Sequence, residues 1–232
     1  MLKFFGRGSA FSAEQNSAFF VHGDELVLID CPMSSFDKIR RYGADTLAGS
    51  PGSGVSVLVT HTHGDHVGGI PTLIQYMFYM HGRPITVIAP SAEVADDLGI
   101  LIGRIEGCDS SAYRIITADM AERDWLRDVI PTVHTPQLAG RCFGYRLTVD
   151  GENVVYTGDT RVIEPFLPYL SGGTYLYSDA SSCNNDVHIS VGELLEKTKG
   201  YDIRLFLMHL DDPEAIEEMI KGTGAELAPL YV

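Results

Sequence analysis

The stretch that most constrains this 232-residue chain is a run of donor side chains at the end of an apolar segment. Val55-Ser56-Val57-Leu58-Val59-Thr60 leads directly into His61-Thr62-His63-Gly64-Asp65-His66. The β-branched run reads as a short buried strand. In an extended segment residues two apart point the same way, so His61 and His63 can reach one metal ion. Gly64 then permits a turn, after which Asp65 and His66 can aim at a second ion. Three imidazoles this close would repel on protonation and would be costly to bury without a cation. A metal site at a strand end removes both costs, and a rigid strand is the kind of element that supports ligands.

Four ligands do not complete two sites. Three further candidates share the same position in the pattern. His134 ends the apolar segment 129–133. Asp159 follows a strand in Tyr156-Thr157-Gly158-Asp159-Thr160. His209 follows Leu205-Phe206-Leu207-Met208. Strand ends that meet at one edge of a sheet are where active sites assemble.

The rest of the chain interleaves strands and helices. Strands are predicted at residues 2–5, 18–30 (with a turn at Asp24-Glu25), 85–89, 175–177 and 204–208. Residues 143–149 and 154–157 flank Asp150-Gly151, a hairpin signal. Ile70, Leu73, Ile74, Met77 and Phe78 fall on one helical face. Ser91 can cap a helix running to about residue 105, and residues 190–199 form a further helix candidate. Asp212 as cap and Pro213 at the first position start a last helix to residue 221. Residues 43–54, rich in Gly, Ser and Ala, read as a loop, and no internal repeat is visible. The fold class is α/β or α+β with mixed sheets, two of them covered by helices, in one domain spanning 1–232.

Composition narrows the partners. Net charge is −14, and the 17 Lys and Arg form no cluster beyond Arg40-Arg41, so extended nucleic acid is a poor substrate for this chain. A small phosphodiester held mainly by metal ions is compatible with that charge. No apolar run approaches the ~20 residues of a membrane helix. Residues 1–7 read as a first strand rather than an export signal, so a cytoplasmic location is expected. Cys31, Cys108, Cys142 and Cys183 are widely separated and form no C-x-x-C pair, which predicts reduced thiols packed mostly as small apolar groups.

The chain resembles the metallo-β-lactamase superfamily of hydrolases over about residues 2–212. That family's motifs can be matched in order: Asp30 after Val27-Leu28-Ile29, then His61, His63, Asp65 and His66, then His134, Asp159 and His209. Thr60 to Pro71, Phe143-Gly144-Tyr145-Arg146 and Gly158-Asp159-Thr160 are most similar to the tRNase Z and phosphodiesterase branch. Pro32 stands where the early motif usually continues with Gly, and residues 134–143 are longer than the branch usually has. Nothing resembles the basic arm with which tRNase Z grips tRNA.

The resemblance implies a four-layer αβ/βα sandwich, with two mixed β-sheets flanked by helices and metals at one edge. It implies that His61, His63 and His134 hold one ion, that Asp65, His66 and His209 hold the other, and that Asp159 bridges them. Asp30 would orient the ligand loop from behind. Two divalent ions are expected, zinc suiting mixed His and Asp donors best, with manganese and iron sharing the same donors. Asp65 and His188 are the candidate catalytic residues. His188, in Asn184-Asn185-Asp186-Val187-His188, resembles a motif His of tRNase Z relatives and could donate a proton; the alternative is a helix-entry His on the surface. His22 and His81 read as solvated. Tyr145 and Arg146 could line the pocket or simply pack in a strand. The aromatic stretch 76–80 reads as core, part of which could pack against a second subunit in a homodimer.

The expected function is metal-dependent hydrolysis of a small or nucleotide-derived phosphodiester by a dimetal-activated water. The same centre could instead hydrolyse a lactone, a thioester or a β-lactam. A di-iron oxidoreductase is disfavoured, since those relatives usually carry Glu where this chain has His63. A non-catalytic metal binder is disfavoured because all seven ligand positions are filled.

Overall fold

A computed structural model describes residues 1–231. Strands β1 (Lys3–Gly6), β2 (Ser17–His22), β3 (Glu25–Ile29), β4 (Gly54–Leu58), β5 (Ile85–Ala89) and β6 (Tyr113–Thr117) form one sheet in that order. Strands β7 (Leu126–Pro131), β8 (Phe143–Val149), β9 (Glu152–Tyr156), β10 (Thr174–Asp179), β11 (Ile203–Met208) and β12 (Glu226–Leu227) form the other, again in chain order. Each sheet opens with an antiparallel three-strand meander and continues parallel. The parallel strands require crossovers, and helices supply most of them.

Helices α1 (Met33–Tyr42), α2 (Ala44–Ala48), α3 (Gly64–Val67), α4 (Ile70–His81) and α5 (Ala92–Gly99) belong to the first half. Helices α6 (Val191–Thr198) and α7 (Pro213–Met219) belong to the second. The layers follow from strands that are apolar on both faces. On β3, Val27 and Ile29 join Phe20, Trp125, Tyr145 and Tyr177 in a core between the sheets. Leu26 and Leu28 point the other way, into a core shared with Leu73, Ile74 and Met77 of α4. A third core lies beneath α6 and α7, around Leu194, Leu207 and Ile216. The result is the predicted four-layer αβ/βα sandwich of two mixed sheets flanked by helices.

Local signals explain most boundaries. Ser91 accepts a hydrogen bond from the Val94 N–H at 3.3 Å and starts α5. Asp212 accepts from the Ala215 N–H at 3.0 Å, and Pro213 follows it, so α7 begins where predicted and ends at Met219, two residues early. The β8–β9 hairpin turns through Asp150 (φ 54°) and Gly151 (φ 83°), the geometry of a two-residue turn with both φ values positive.

Several expectations need correction. The first hairpin turns at Gly23-Asp24 rather than at Asp24-Glu25, because His22 pairs with Glu25. Residues 43–54 are not all loop: α2 occupies Ala44–Ala48, with Leu47 and Ala48 buried. The helix from Ser91 loosens at Ile100–Ile105 into π-helical turns. The turn at Gly64 is a helical one, with no positive φ at that residue. Tyr145 and Arg146 are strand packing: the fully buried Tyr145 hydroxyl donates to the Val59 carbonyl, and Arg146 pairs with Asp128 at 3.0 Å. Of the stretch 76–80, Met77 is buried while Tyr79 and Met80 are exposed. No disulfide is present among the described residues, and Cys183 is the exposed thiol. No helix among them is long and apolar enough to cross a membrane.

The inter-sheet core supports the edge where the donors gather. Trp125 is 1 % exposed and meets the Phe20 ring edge-on at 5.3 Å. Trp125→Ala is expected to cost about 3–5 kcal/mol of stability. Urea unfolding followed by circular dichroism reads this directly, and an unchanged midpoint would refute the assignment of Trp125 to that core.

Candidate metal centre

Five of the seven donors lie just beyond strand ends or in the loops that follow them, and Asp65 and His66 lie on the short helix α3. Residues 59–63 leave β4 extended and carry His61 and His63; α3 then brings round Asp65 and His66. His134 follows β7, Asp159 follows β9 and His209 follows β11. His61, His63, His134 and Asp159 form one cluster, and Asp65, His66, Asp159 and His209 form another. In each, one potential donor atom per residue lies within 4.8 Å of the others. Asp159 belongs to both.

The close distances define the donor arrangement. His61 Nε2 is 3.0 Å from His63 Nδ1, which is 3.3 Å from His134 Nε2. The Asp159 Oδ2 atom sits among four imidazoles, 3.3 Å from His66 Nε2 and His209 Nε2, 3.6 Å from His134 Nε2 and 3.8 Å from His61 Nε2. Asp65 Oδ2 is 3.2 Å from His209 Nε2 and 3.3 Å from His66 Nε2. Gly158 lets the Asp159 loop approach this closely: its φ is +61°, and a Cβ there would fall 2.6 Å from the Phe143 carbonyl oxygen.

Hydrogen bonds behind the rings fix which nitrogen faces inward. Asp30 is fully buried, and its carboxylate accepts from the Thr60 N–H, the Thr60 hydroxyl and His66 Nδ1, each at 2.8 Å. The Thr60 hydroxyl therefore accepts from His61 Nδ1 at 3.0 Å. His134 Nδ1 donates to the Val187 carbonyl at 2.9 Å. His61, His66 and His134 thus turn Nε2 lone pairs toward the cluster, the arrangement that metal-binding imidazoles use. Asp30 (φ 60°) and His209 (φ 54°) hold left-handed backbone conformations that non-glycine residues rarely adopt, a strain typical of sites that surrounding structure enforces.

The electrostatics point the same way. Burial, aided by the charge of His66, holds the His61 imidazole well below its ordinary range. Burial, with His134, also lowers His63. Burial opposes the charging of His66, but the Asp159 and Asp30 carboxylates outweigh it and raise that ring strongly. The same competition, won by Asp159, lifts His209 to about 10. Burial alone would raise Asp65 and Asp159; their histidine neighbours hold both far down instead. A divalent cation neutralises the same carboxylates and releases those protons. The donor chemistry fits one: His66 Nε2 and Asp159 Oδ1 are buried without a hydrogen-bond partner.

His188 is half-buried beside the cluster, its ring 4.9 Å from that of His134 and 5.0 Å from that of His209. Its Nδ1 donates at 2.7 Å to Asp179, a carboxylate at the end of β10 that is fully buried. Asp179 also accepts from the Thr160 N–H at 2.9 Å, tying the Asp159 loop to His188. Sequence reasoning missed Asp179. Its signal was the same strand-end position as Asp159 and His209, hidden by reading the strand as ending at 177. His22 and His81 lie away from the cluster; His22 pairs with Asp124 at 2.9 Å and His81 is an exposed helix terminus. Burial raises the Cys31 thiol, and lifts Cys142 to about 11, so neither is poised as a thiolate donor.

Two facing mixed sheets with these donors at one edge define a metal-dependent hydrolase of the metallo-β-lactamase superfamily. Two solved structures bear out the fold. The metallo-β-lactamase fold protein YhfI of Bacillus subtilis superposes with a TM-score of 0.74 at 18% identity, over 97% of this chain and 94% of that one. The short form of human tRNase Z gives 0.71 at 16% identity, over 100% and 97%. Within the superfamily, the chain belongs to the anti-Pycsar protein Apyc1 family, whose model matches residues 1–226. A relative of that name from Bacillus phage 010DV004 is 30% identical over 235 residues, covering 89% of this chain and 87% of its own.

Proposed function

We propose that the chain hydrolyses a small, nucleotide-derived phosphodiester at a two-ion centre. His61, His63 and His134 would hold one ion, Asp65, His66 and His209 the other, and Asp159 both. Zinc suits this mixed imidazole and carboxylate set, and manganese or iron shares the donors. When bound, such ions supply Lewis acidity and a water nucleophile activated near neutral pH.

The chain's own residues do the rest. Asp65, at 9 % exposure the most accessible of the clustered carboxylates, orients the water and takes its proton. As the water oxygen bonds to phosphorus, the opposite P–O ester bond breaks and leaves an alkoxide. His188 Nε2 delivers a proton to that alkoxide, while Asp179 holds Nδ1 and so fixes the ring's direction. The His188–Asp179 pair is the observation that carries the reading: it suits an alkoxide leaving group, which a phosphodiester or a lactone has and a thioester lacks. A sugar alkoxide is a poor leaving group and needs a proton; a thiolate from a thioester leaves without one. The acidic chain, with 31 Asp and Glu against 17 Lys and Arg, favours a short substrate over a long polyanion. The similarity in fold to tRNase Z supports phosphodiester chemistry.

The test is turnover of a cyclic mononucleotide and bis-p-nitrophenyl phosphate, beside a lactone, a thioester and a chromogenic β-lactam, with metal counted in the same sample. Phosphodiester turnover with about two ions per chain, lost on chelation, is the expected result. Turnover of carboxylic substrates alone would overturn the phosphodiester reading.

A further inference from the structure

The loop between β1 and β2 presents one side chain in an unusual way. Phe11 is 102 % exposed, the most open large apolar residue among those described. Yet the loop is tightly built. The Ser12 N–H donates to the Ser9 carbonyl at 3.0 Å, closing a turn with Ala10 and Phe11 at its tip. The Gln15 side chain donates to the Ala10 carbonyl at 2.9 Å, and the Gly8 N–H to the Glu14 carbonyl at 3.1 Å. A Cβ at Gly8 would lie 2.4 Å from that of Ser12, so only glycine lets the loop close this far. A phenyl ring carried into water on a closed backbone turn forgoes burial, the usual fate of such a side chain.

Both anchors of the loop lie against the donor segments. The Ser9 N–H donates to the Leu210 carbonyl at 2.9 Å, and the Leu210 N–H to the Arg7 carbonyl at 2.8 Å; Leu210 directly follows His209. On the other side, the Gln15 N–H donates to Ser34 Oγ at 3.2 Å. Ser34 stands in the first turn of α1, just after Cys31, whose N–H donates to the His66 carbonyl at 2.7 Å. The loop therefore spans from the His209 segment to the His66 segment, two donors of the same cluster, and Phe11 stands on that rim. Met33, 49 % exposed, flanks Ser34 there.

We infer that Phe11 is the platform on which the nucleobase of the substrate stacks. The inference rests on the phosphodiester reading above. A phosphodiester at the two donor clusters places its base a short distance out on the rim, and a flat aromatic heterocycle is the partner that a single exposed phenyl ring fits. Stacking accepts every base because each has a π-face. Stacking alone therefore predicts that purine and pyrimidine nucleotides both gain from Phe11.

The test compares a purine and a pyrimidine cyclic mononucleotide with glycerol 1,2-cyclic phosphate, which has no base. Phe11→Ala is expected to raise KM for both nucleotides about tenfold, with kcat within about twofold and turnover of the base-free diester unchanged. Phe11→Trp is expected to restore KM, and its fluorescence should quench on titration with a nucleotide, since the native Trp125 is buried. Unchanged KM in Phe11→Ala, with wild-type nucleotide turnover intact, overturns the stacking role and leaves the phosphodiester reading standing. If the wild type turns over no phosphodiester, that reading falls, and the quenching titration decides this one: no quenching overturns it, and quenching supports it. A lowered oligomer mass in Phe11→Ala with unchanged KM would instead assign Phe11 to contact with a second copy.

Discussion

Asp159→Ala is expected to lose about 10³-fold or more of phosphodiester turnover and to carry fewer ions per chain. One carboxylate oxygen lies within 3.8 Å of four imidazole nitrogens, so the substitution removes a donor from both clusters together. Metal-ion catalysis is worth several kcal/mol of transition-state stabilisation, and each ~1.4 kcal/mol is tenfold in rate. The fold should persist. Asp159 raises both His66 and His209, so its loss lowers both and favours neutral rings that burial tolerates. Elemental analysis with turnover, and circular dichroism as the control, checks this. Wild-type metal content and rate in the variant would remove Asp159 from the centre.

His188→Ala is expected to slow hydrolysis of a cyclic mononucleotide by about 10²- to 10⁴-fold, the usual worth of a positioned acid. The p-nitrophenyl diester should suffer far less, because p-nitrophenolate leaves without a proton. A structural defect would slow both alike. Asp179→Asn gives an independent reading through pH. Burial pulls His188 down, but the Asp179 carboxylate, by charge and by hydrogen bond, outweighs it and raises the ring above its ordinary value. Activity that needs protonated His188 is present below that pKa and is lost as pH rises through it. Removing the carboxylate lowers the pKa, so the alkaline limb of kcat should move to lower pH. That direction is independent of other charges nearby, which remain in place in the variant. A stationary limb would exclude His188 as the proton donor.

The sequence made the first half of the centre legible because five of its features are local: a β-branched strand, then His61, His63, Asp65 and His66 at fixed spacing. His134, Asp159 and His209 were legible for another reason, since each follows an apolar run long enough to read as a strand. Asp179 was not, because Ser178 and Asp179 are polar residues inside a strand whose apolar part stops at Tyr177; only Thr160 and His188, far off in sequence, explain its burial. Helix α1 lacked a capping side chain, and of its ten residues only Ser35 and Ile39 are buried, so its pattern was weak. Strand β6 sits on a sheet edge with no residue fully buried, and β12 has two residues. Such elements are specified by the neighbour they pair with rather than by their own composition. The repetition of one strand plan in both sheets was invisible for the same reason: it is a repeat of pairing, with no matching repeat of residues.

That repetition has a consequence for how the centre holds together. His61 and His63 come from the first sheet's half and His134 and Asp159 from the second; Asp65 and His66 come from the first, Asp159 and His209 from the second. Neither half owns a complete donor set. A chain cut in the connection between β6 and β7 would give two pieces, each with a meander, three parallel strands and half of every donor cluster. On the two-ion reading proposed above, ion uptake would become a readout of reunion between the pieces, and the centre would act as a clasp between halves as much as a place for chemistry.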